Sequence, residues 1–374
     1  MEKLTDVELS SVVLEETKTR TWENCHPNSV IVQEDTVLTP HGNVHVAVQG
    51  AVGKPAIVTY HDIGLNHTTQ FQGFFNYPDM QTLLKHFCVY HINGVGQEDG
   101  AAPLPQIDTA SPADGKLTDA MTGEGQQLLE RYKFPTMDEL AETIGHVLDF
   151  YSLKSVMGLG VGMGSNVLCR FAMANPKRVS ALIIVNTCGT QSGWVEWGYQ
   201  KLSNRYLQKY GMNSFTQDYL VWHHFGYKTM EENLDLVNFY RDTLMKSVQP
   251  YNLALLVESY VWRTDLGLDR DGAGNDGKKI ECPVMNVVGD NSPHIDDSMW
   301  FNGRLNPAKS NFVKFSDCGG MVLEEVPQKM AESLLLFLQG LGYVPHLRIS
   351  REHGRITSPA TSPVSPTSLA PAIC

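Results

Sequence analysis

Residues 155–176 read SVMGLGVGMGSNVLCRFAMANP: an apolar strand enters a bend at Gly160-Val161-Gly162-Met163-Gly164 and leaves it as a helix. In hydrolases a strand–turn–helix of the form G-x-S-x-G lifts a serine hydroxyl out of the turn to attack an acyl carbon. Here Gly162 stands at the centre. Such chemistry also needs a base to take the nucleophile's proton and an acid to orient the base. The acid is expected just beyond a later strand. After VMNVVG the chain runs Asp290-Asn291-Ser292-Pro293, which puts Ser292 there. The histidine is expected after the last strand, where Asp317-Cys318-Gly319-Gly320-Met321 puts Gly320. Gly162, Ser292 and Gly320 supply neither the base nor the acid, and Gly162 supplies no nucleophile. The turn that normally donates to an oxyanion reads His61-Asp62-Ile63-Gly64, and a carboxylate at Asp62 repels developing negative charge if it points inward. No catalytic residue is expected.

Other chemistries fare no better. A dinucleotide fingerprint fails, because counting G-x-G-x-x-G from Gly160 arrives at Ser165 and from Gly158 at Met163. No G-K-[ST] follows the glycines, and the next strand ends on Asn186 rather than an acid, so no nucleotide cofactor is expected. His41 and His45 share a hairpin without a third ligand, and the seven cysteines contain no C-x-x-C pair, so no metal is expected either. Ser165 reads as a capping or packing serine, Cys169 as core, and Asp290 as a brace for its loop. His223 and His224 read as packing residues of an aromatic helix. Two rival readings stay open. A hydrolase with an unconventional nucleophile needs Ser165 or Cys169 to face an open pocket beside a histidine; a small-molecule sensor needs an open cleft.

The elements that would position these residues follow from apolar patterning. Runs at 28–37, 43–49, 55–61 and 86–92 read as strands, the first two flanking the turn TPHG as an antiparallel hairpin. Residues 136–151 place Met137, Leu140, Ile144, Val147 and Leu148 on one helical face. A strand into Gly158, a helix over 163–174, strands at 180–186, 283–289 and 311–316, and one closing helix from Glu324 to Gly342 complete an alternation. Fully apolar strands alternating with helices imply an α/β fold, a mostly parallel sheet flanked by helices. Residues 190–270, dense in aromatics, read as a helical cap inserted before the last two strands, with Trp194, Trp197 and Trp222 as candidate anchors for a partner. Residues 104–133 read as an exposed insertion.

The globular part is expected over 26–343, after a flexible acidic stretch at 1–25 and before a disordered Ser/Thr/Pro-rich tail at 344–374. A net charge of −12 argues against nucleic acid as a partner. Residues 1–16 lack the apolar core of a signal peptide, and no apolar run approaches a membrane span, so a cytoplasmic location is expected.

The stretches HDIGLNHTTQFQGFFNYPDM (61–80), VGMGSNVLCRFAMANP, CPVMNVVGDNSPHIDD (282–297), DCGG and FLQGLGY (337–343) resemble the N-myc downstream-regulated (NDR) family, in order and over roughly residues 26–343. The resemblance implies an α/β-hydrolase fold without hydrolase activity and roles in signalling, stress response, differentiation and vesicle trafficking. It also implies a cytoplasmic protein, partly membrane- or vesicle-associated, that meets trafficking and signalling proteins, phospholipid surfaces and tail-directed kinases. Ser358, Ser362 and Ser365 each precede proline, Arg355 stands three residues before Ser358, and Ser358 and Ser362 have the spacing of a primed site. These three serines are the phosphorylation candidates.

Overall fold

A computed structural model describes residues 33–105, 133–270 and 278–348. The N-terminal stretch 1–25, nearly all of the 104–133 insertion and the three tail serines lie outside the described residues.

The hairpin forms as its turn dictates. Thr39 Oγ1 donates to the Gly42 carbonyl at 2.6 Å, closing β1 (Gln33–Thr39) onto β2 (Gly42–Gly50) with Thr39 opposite Gly42. β2 then pairs antiparallel with β4 (Cys88–Ile92), and from β4 onward all neighbours are parallel. The other strands are β3 (Ala56–Tyr60), β5 (Val156–Val161), β6 (Val179–Val185), β7 (Val284–Gly289) and β8 (Ser310–Phe315). They lie in the order β1-β2-β4-β3-β5-β6-β7-β8. This is the expected α/β-hydrolase sheet.

Helices cover both faces. Between β3 and β4 come α1 (Gly73–Asn76) and α2 (Pro78–Leu84), then α3 (Met137–Phe150) and α4 (Met163–Ala174) on either side of β5. Four helices between β6 and β7 form the cap: α5 (Trp194–Tyr210), α6 (Ser214–Glu232), α7 (Leu234–Ser247) and α8 (Pro250–Val261). Next comes α9 (Ile295–Arg304), ahead of β8. The closing helix is two: α10 (Val322–Glu325) and α11 (Pro327–Gly340). The single run expected there breaks because Pro327 has no N–H to continue a ladder and is suited to a first helical turn.

Strand periodicity sorts the core. Val58, Tyr60, Leu182 and Ile184 face α3, α4 and the cap, whereas Ile57, Met157, Leu159 and Ile183 face Phe71, Phe74, Leu334 and Leu338. No helix among the described residues is long and apolar enough to cross a membrane.

α3 carries a capping box, in which Thr136 Oγ1 accepts the Glu139 N–H and Glu139 Oε2 accepts the Thr136 N–H at 2.7 Å. Thr136→Ala is expected to cost about 1 kcal/mol, read as a lower urea midpoint with an unchanged denaturant slope.

Two buried histidines make the sheet acid-sensitive. His61 Nε2 accepts the Gly94 N–H at 2.8 Å, which leaves Nδ1 to donate to the Asp62 carbonyl and fixes a neutral ring. Burial pushes His61 down to about 4 and His91 down to about 3. The unfolded chain therefore binds these protons first as pH falls through about 6.5, so stability is full above that value and declines below it. The expected slope approaches 1.4 kcal/mol per pH unit for each histidine, about 2.7 for both, over the range where only the unfolded state is protonated. Urea unfolding at about pH 7 and about pH 5 checks this, and equal stabilities would contradict it.

Candidate functional site

The bend between β5 and α4 retains the sharp geometry that its glycines suggest. Gly162 has φ 52° and ψ −116°, a conformation that strains any other residue. Space forbids a side chain as well, since a Cβ at Gly162 would fall 2.1 Å from Asp62 Oδ2. The inward Asp62 thus leaves no room for a side chain at this position.

Asp62 divides its two oxygens. Oδ1 accepts the Ile63 and Met163 N–H groups, each at 2.8 Å. Oδ2 lies 3.1 Å from His223 Nε2 and 3.7 Å from His224 Nδ1. Its side chain is only 3% exposed. Burial alone would raise its pKa, but the His223 contact and the Met163 N–H outweigh that and hold the carboxyl well below the usual range. One N–H follows the bend and the other comes from the turn after β3, the pair with which hydrolases of this fold hold an oxyanion. Here the chain's own carboxylate occupies both donors.

The cap delivers the other half of the cluster. α6 is broken at Gly226 (φ 77°, ψ 168°), and the helical turn just before the break brings His223 and His224 to the sheet edge. His224 Nε2 donates to the Ile63 carbonyl at 3.0 Å, and His294 Nε2 donates to the His223 carbonyl at 3.0 Å. His223 and His224 are buried in the aromatic cap helix, with His223 against Tyr219, and both rings in addition face a buried carboxylate. Spacing carried no sign of this, because Asp62 is 161 residues away from His223. The available signal was a histidine pair followed two positions later by a glycine inside a helix.

Ser292 and Gly320 meet through Asn186. Ser292 Oγ donates to Asn186 Oδ1 at 3.0 Å and accepts the His294 N–H at 3.1 Å, while Asn186 Nδ2 donates to the Gly320 carbonyl at 2.6 Å. A Cβ at Gly320 would lie 2.1 Å from the His224 carbonyl. The space beside Gly320 is taken by cap backbone.

The remaining candidates are spread out. Ser165 is fully buried, its Oγ donating to the Val185 carbonyl and accepting the Val185 N–H. Cys169 is core, and burial pushes its thiol up. Asp290 accepts the Cys318 N–H and so braces its loop. His41 pairs with Glu142 at 2.8 Å, and His45 with Asn93 and Glu34. Trp197 is exposed on α5, and Trp222 is half-buried between Tyr219 and Tyr227. The Trp194 side chain lies outside the described residues.

The contact between residue 162 and Asp62 gives a prediction. Gly162→Ala is expected to cost more than about 3 kcal/mol, from backbone strain and overpacking together. In an Asp62→Ala background the same change is expected to cost at least about 1 kcal/mol less. A double-mutant cycle by urea unfolding, or by recovery of soluble protein if the single variant does not fold, reads the difference. Strict additivity would refute the contact.

A sequence profile of the Ndr family matches residues 34–123 and 120–345. The chain is 36% identical to Protein NDRG3 of Xenopus tropicalis over 354 residues, covering 94% of this chain and 83% of that one. It is 36% identical to Protein NDRG1 of Xenopus tropicalis over 323 residues, covering 86% and 74%. Among solved structures it is similar to a thermophilic esterase from Thermogutta terrifontis with malate bound, with a TM-score of 0.63 at 16% identity over 83% of this chain and 99% of that one. The enol-lactonase from Burkholderia xenovorans LB400 gives a TM-score of 0.62 at 16% identity, over 82% and 100%. Likeness at that identity carries the fold and not the activity. With its profile match and these relatives over most of their lengths, the chain belongs to the Ndr family.

Proposed function

We propose that this Ndr-family chain is a non-catalytic α/β-hydrolase-like protein that acts through binding. One observation carries the reading: the Asp62 carboxylate sits on the Ile63 and Met163 N–H groups, against a Gly162 with no room for a side chain. An acyl substrate would find neither a nucleophile at the bend nor a free pair of donors. Gly162, Ser292 and Gly320 are the vacated triad positions in this reading, and their surroundings are packed with the chain's own groups.

Substitute nucleophiles are poorly placed. Ser165 spends its hydroxyl on Val185, and Cys169 is buried with its thiol raised away from the reactive thiolate. Binding then falls to the outer surface. The cap exposes Trp197, Tyr210, Tyr227 and Phe239, residue types that anchor protein or lipid contacts. In this proposal the chain serves signalling, stress response, differentiation and vesicle trafficking in the cytoplasm and at membrane surfaces. Its partners are proteins of those pathways, phospholipid, and kinases acting on Ser358, Ser362 and Ser365.

The test is turnover by the purified full chain on short- and long-acyl esters, with an activity-based serine-hydrolase probe alongside. No saturable rate above a heat-denatured control and no labelling are expected. Saturable turnover abolished by Ser165→Ala or Cys169→Ala would overturn the proposal.

A further inference from the structure

The cluster that closes the sheet edge has the composition of a metal site. One ring nitrogen each of His223 and His224 and one Asp62 carboxylate oxygen all lie within 4.8 Å of one another, and all three residues are buried. Ligand atoms around a tetrahedral zinc ion stand about 3.3 Å apart, given zinc–nitrogen and zinc–oxygen distances of about 2.0–2.1 Å. The separations from Asp62 Oδ2, 3.1 Å to His223 and 3.7 Å to His224, bracket that value.

The supporting bonds orient the same atoms. The Ile63 carbonyl can only accept, so the 3.0 Å contact puts a proton on His224 Nε2. Nδ1 of a neutral His224 then presents a bare lone pair to Asp62 Oδ2, in a place where the side chains are 2–3% exposed. Two facing lone pairs without solvent are unfavourable unless a positive charge lies between them. Asp62 Oδ1, with its two backbone N–H donors, fixes the carboxylate so that Oδ2 alone is offered. A ligating histidine held by a carbonyl on its far nitrogen, and a carboxylate held by backbone donors, are the outer supports that metal centres use.

We propose that Asp62, His223 and His224 bind one divalent transition-metal ion of the zinc type. Two Zn–N bonds and one Zn–O bond form, and the proton that His223 Nε2 shares with Asp62 is replaced by one on Nδ1, so that the ring stays neutral and Nε2 offers its lone pair to the ion. Water completes the shell. Asp62 belongs to the turn after β3 and both histidines to α6, so the ion ties the cap to the sheet edge. Local spacing gives no metal expectation here, because the ligands come from segments far apart in the chain.

The test uses the full chain, stripped with a chelator and reloaded with zinc alone. Metal analysis after desalting is expected to find one zinc per chain. Competition with a chromophoric chelator is expected to show affinity reduced about 100-fold or more by Asp62→Asn and by His224→Gln. A His41→Ala/His45→Ala variant is expected to retain the parental affinity. Because the cluster variants could misfold, cobalt in the unsubstituted chain gives an independent reading, with tetrahedral ligand-field bands and no thiolate charge-transfer band. Zinc not retained by the unsubstituted chain would overturn the proposal. Unchanged affinity in both cluster variants, or a cobalt–thiolate band, would overturn it too.

Discussion

A buried carboxylate with both oxygens engaged sets the terms for the C-terminal edge of this sheet. Removing Asp62 from water costs several kcal/mol unless its lone pairs are met. Ile63 and Met163 meet one oxygen with backbone donors, and the histidine pair faces the other. The neighbouring glycines follow from this. A Cβ at residue 162 would meet Asp62 across the bend; His223 and His224 end the helical turn that breaks at Gly226; and a Cβ at residue 320 would meet the His224 carbonyl. What looks along the chain like separate losses of side chains is one packing arrangement, in which each small residue accommodates a neighbour.

The sheet was largely legible in the sequence because its strands are short apolar runs with abrupt ends. Helix 163–174 was legible because a glycine bend and Asn175-Pro176 bound an apolar stretch. The order of strands is a different matter. That β4 lies between β2 and β3 is set by the handedness of the β3–β4 crossover rather than by any local signal. The closing helix shows the limit of periodicity. Its apolar spacing runs through Val326, yet Pro327 divides it, because a missing N–H outweighs a continuous hydrophobic stripe.

The histidine pair was illegible for a geometric reason. Adjacent residues on a helix point about 100° apart, so sequence adjacency alone does not indicate that His223 and His224 meet one carboxylate. Both do so here, beside a backbone break at Gly226 that no propensity argument singles out. Asp62 was legible as an anomaly in a donor turn. Its direction was not, since only the fold brings the bend after β5 to within hydrogen-bond distance.

The same kind of bond recurs wherever the cap meets the body. Tyr240 donates to the Thr69 carbonyl, Thr229 to Glu325, and Asn252 to the carbonyls of Gly96 and Ala102 while accepting the Leu104 N–H. Glu325 in turn accepts the Gly319 and Met321 N–H groups, so its carboxylate joins α6 to the turn that carries Gly320. Several of these groups are fully enclosed, and exposing or orphaning each costs about 1–3 kcal/mol. A cap that lifted as a rigid lid would break most of them at once, together with the contacts of His223 and His224. The space at the bend itself is filled by Asp62. The outer surface of the cap carries exposed aromatic side chains whose contacts would break none of these bonds.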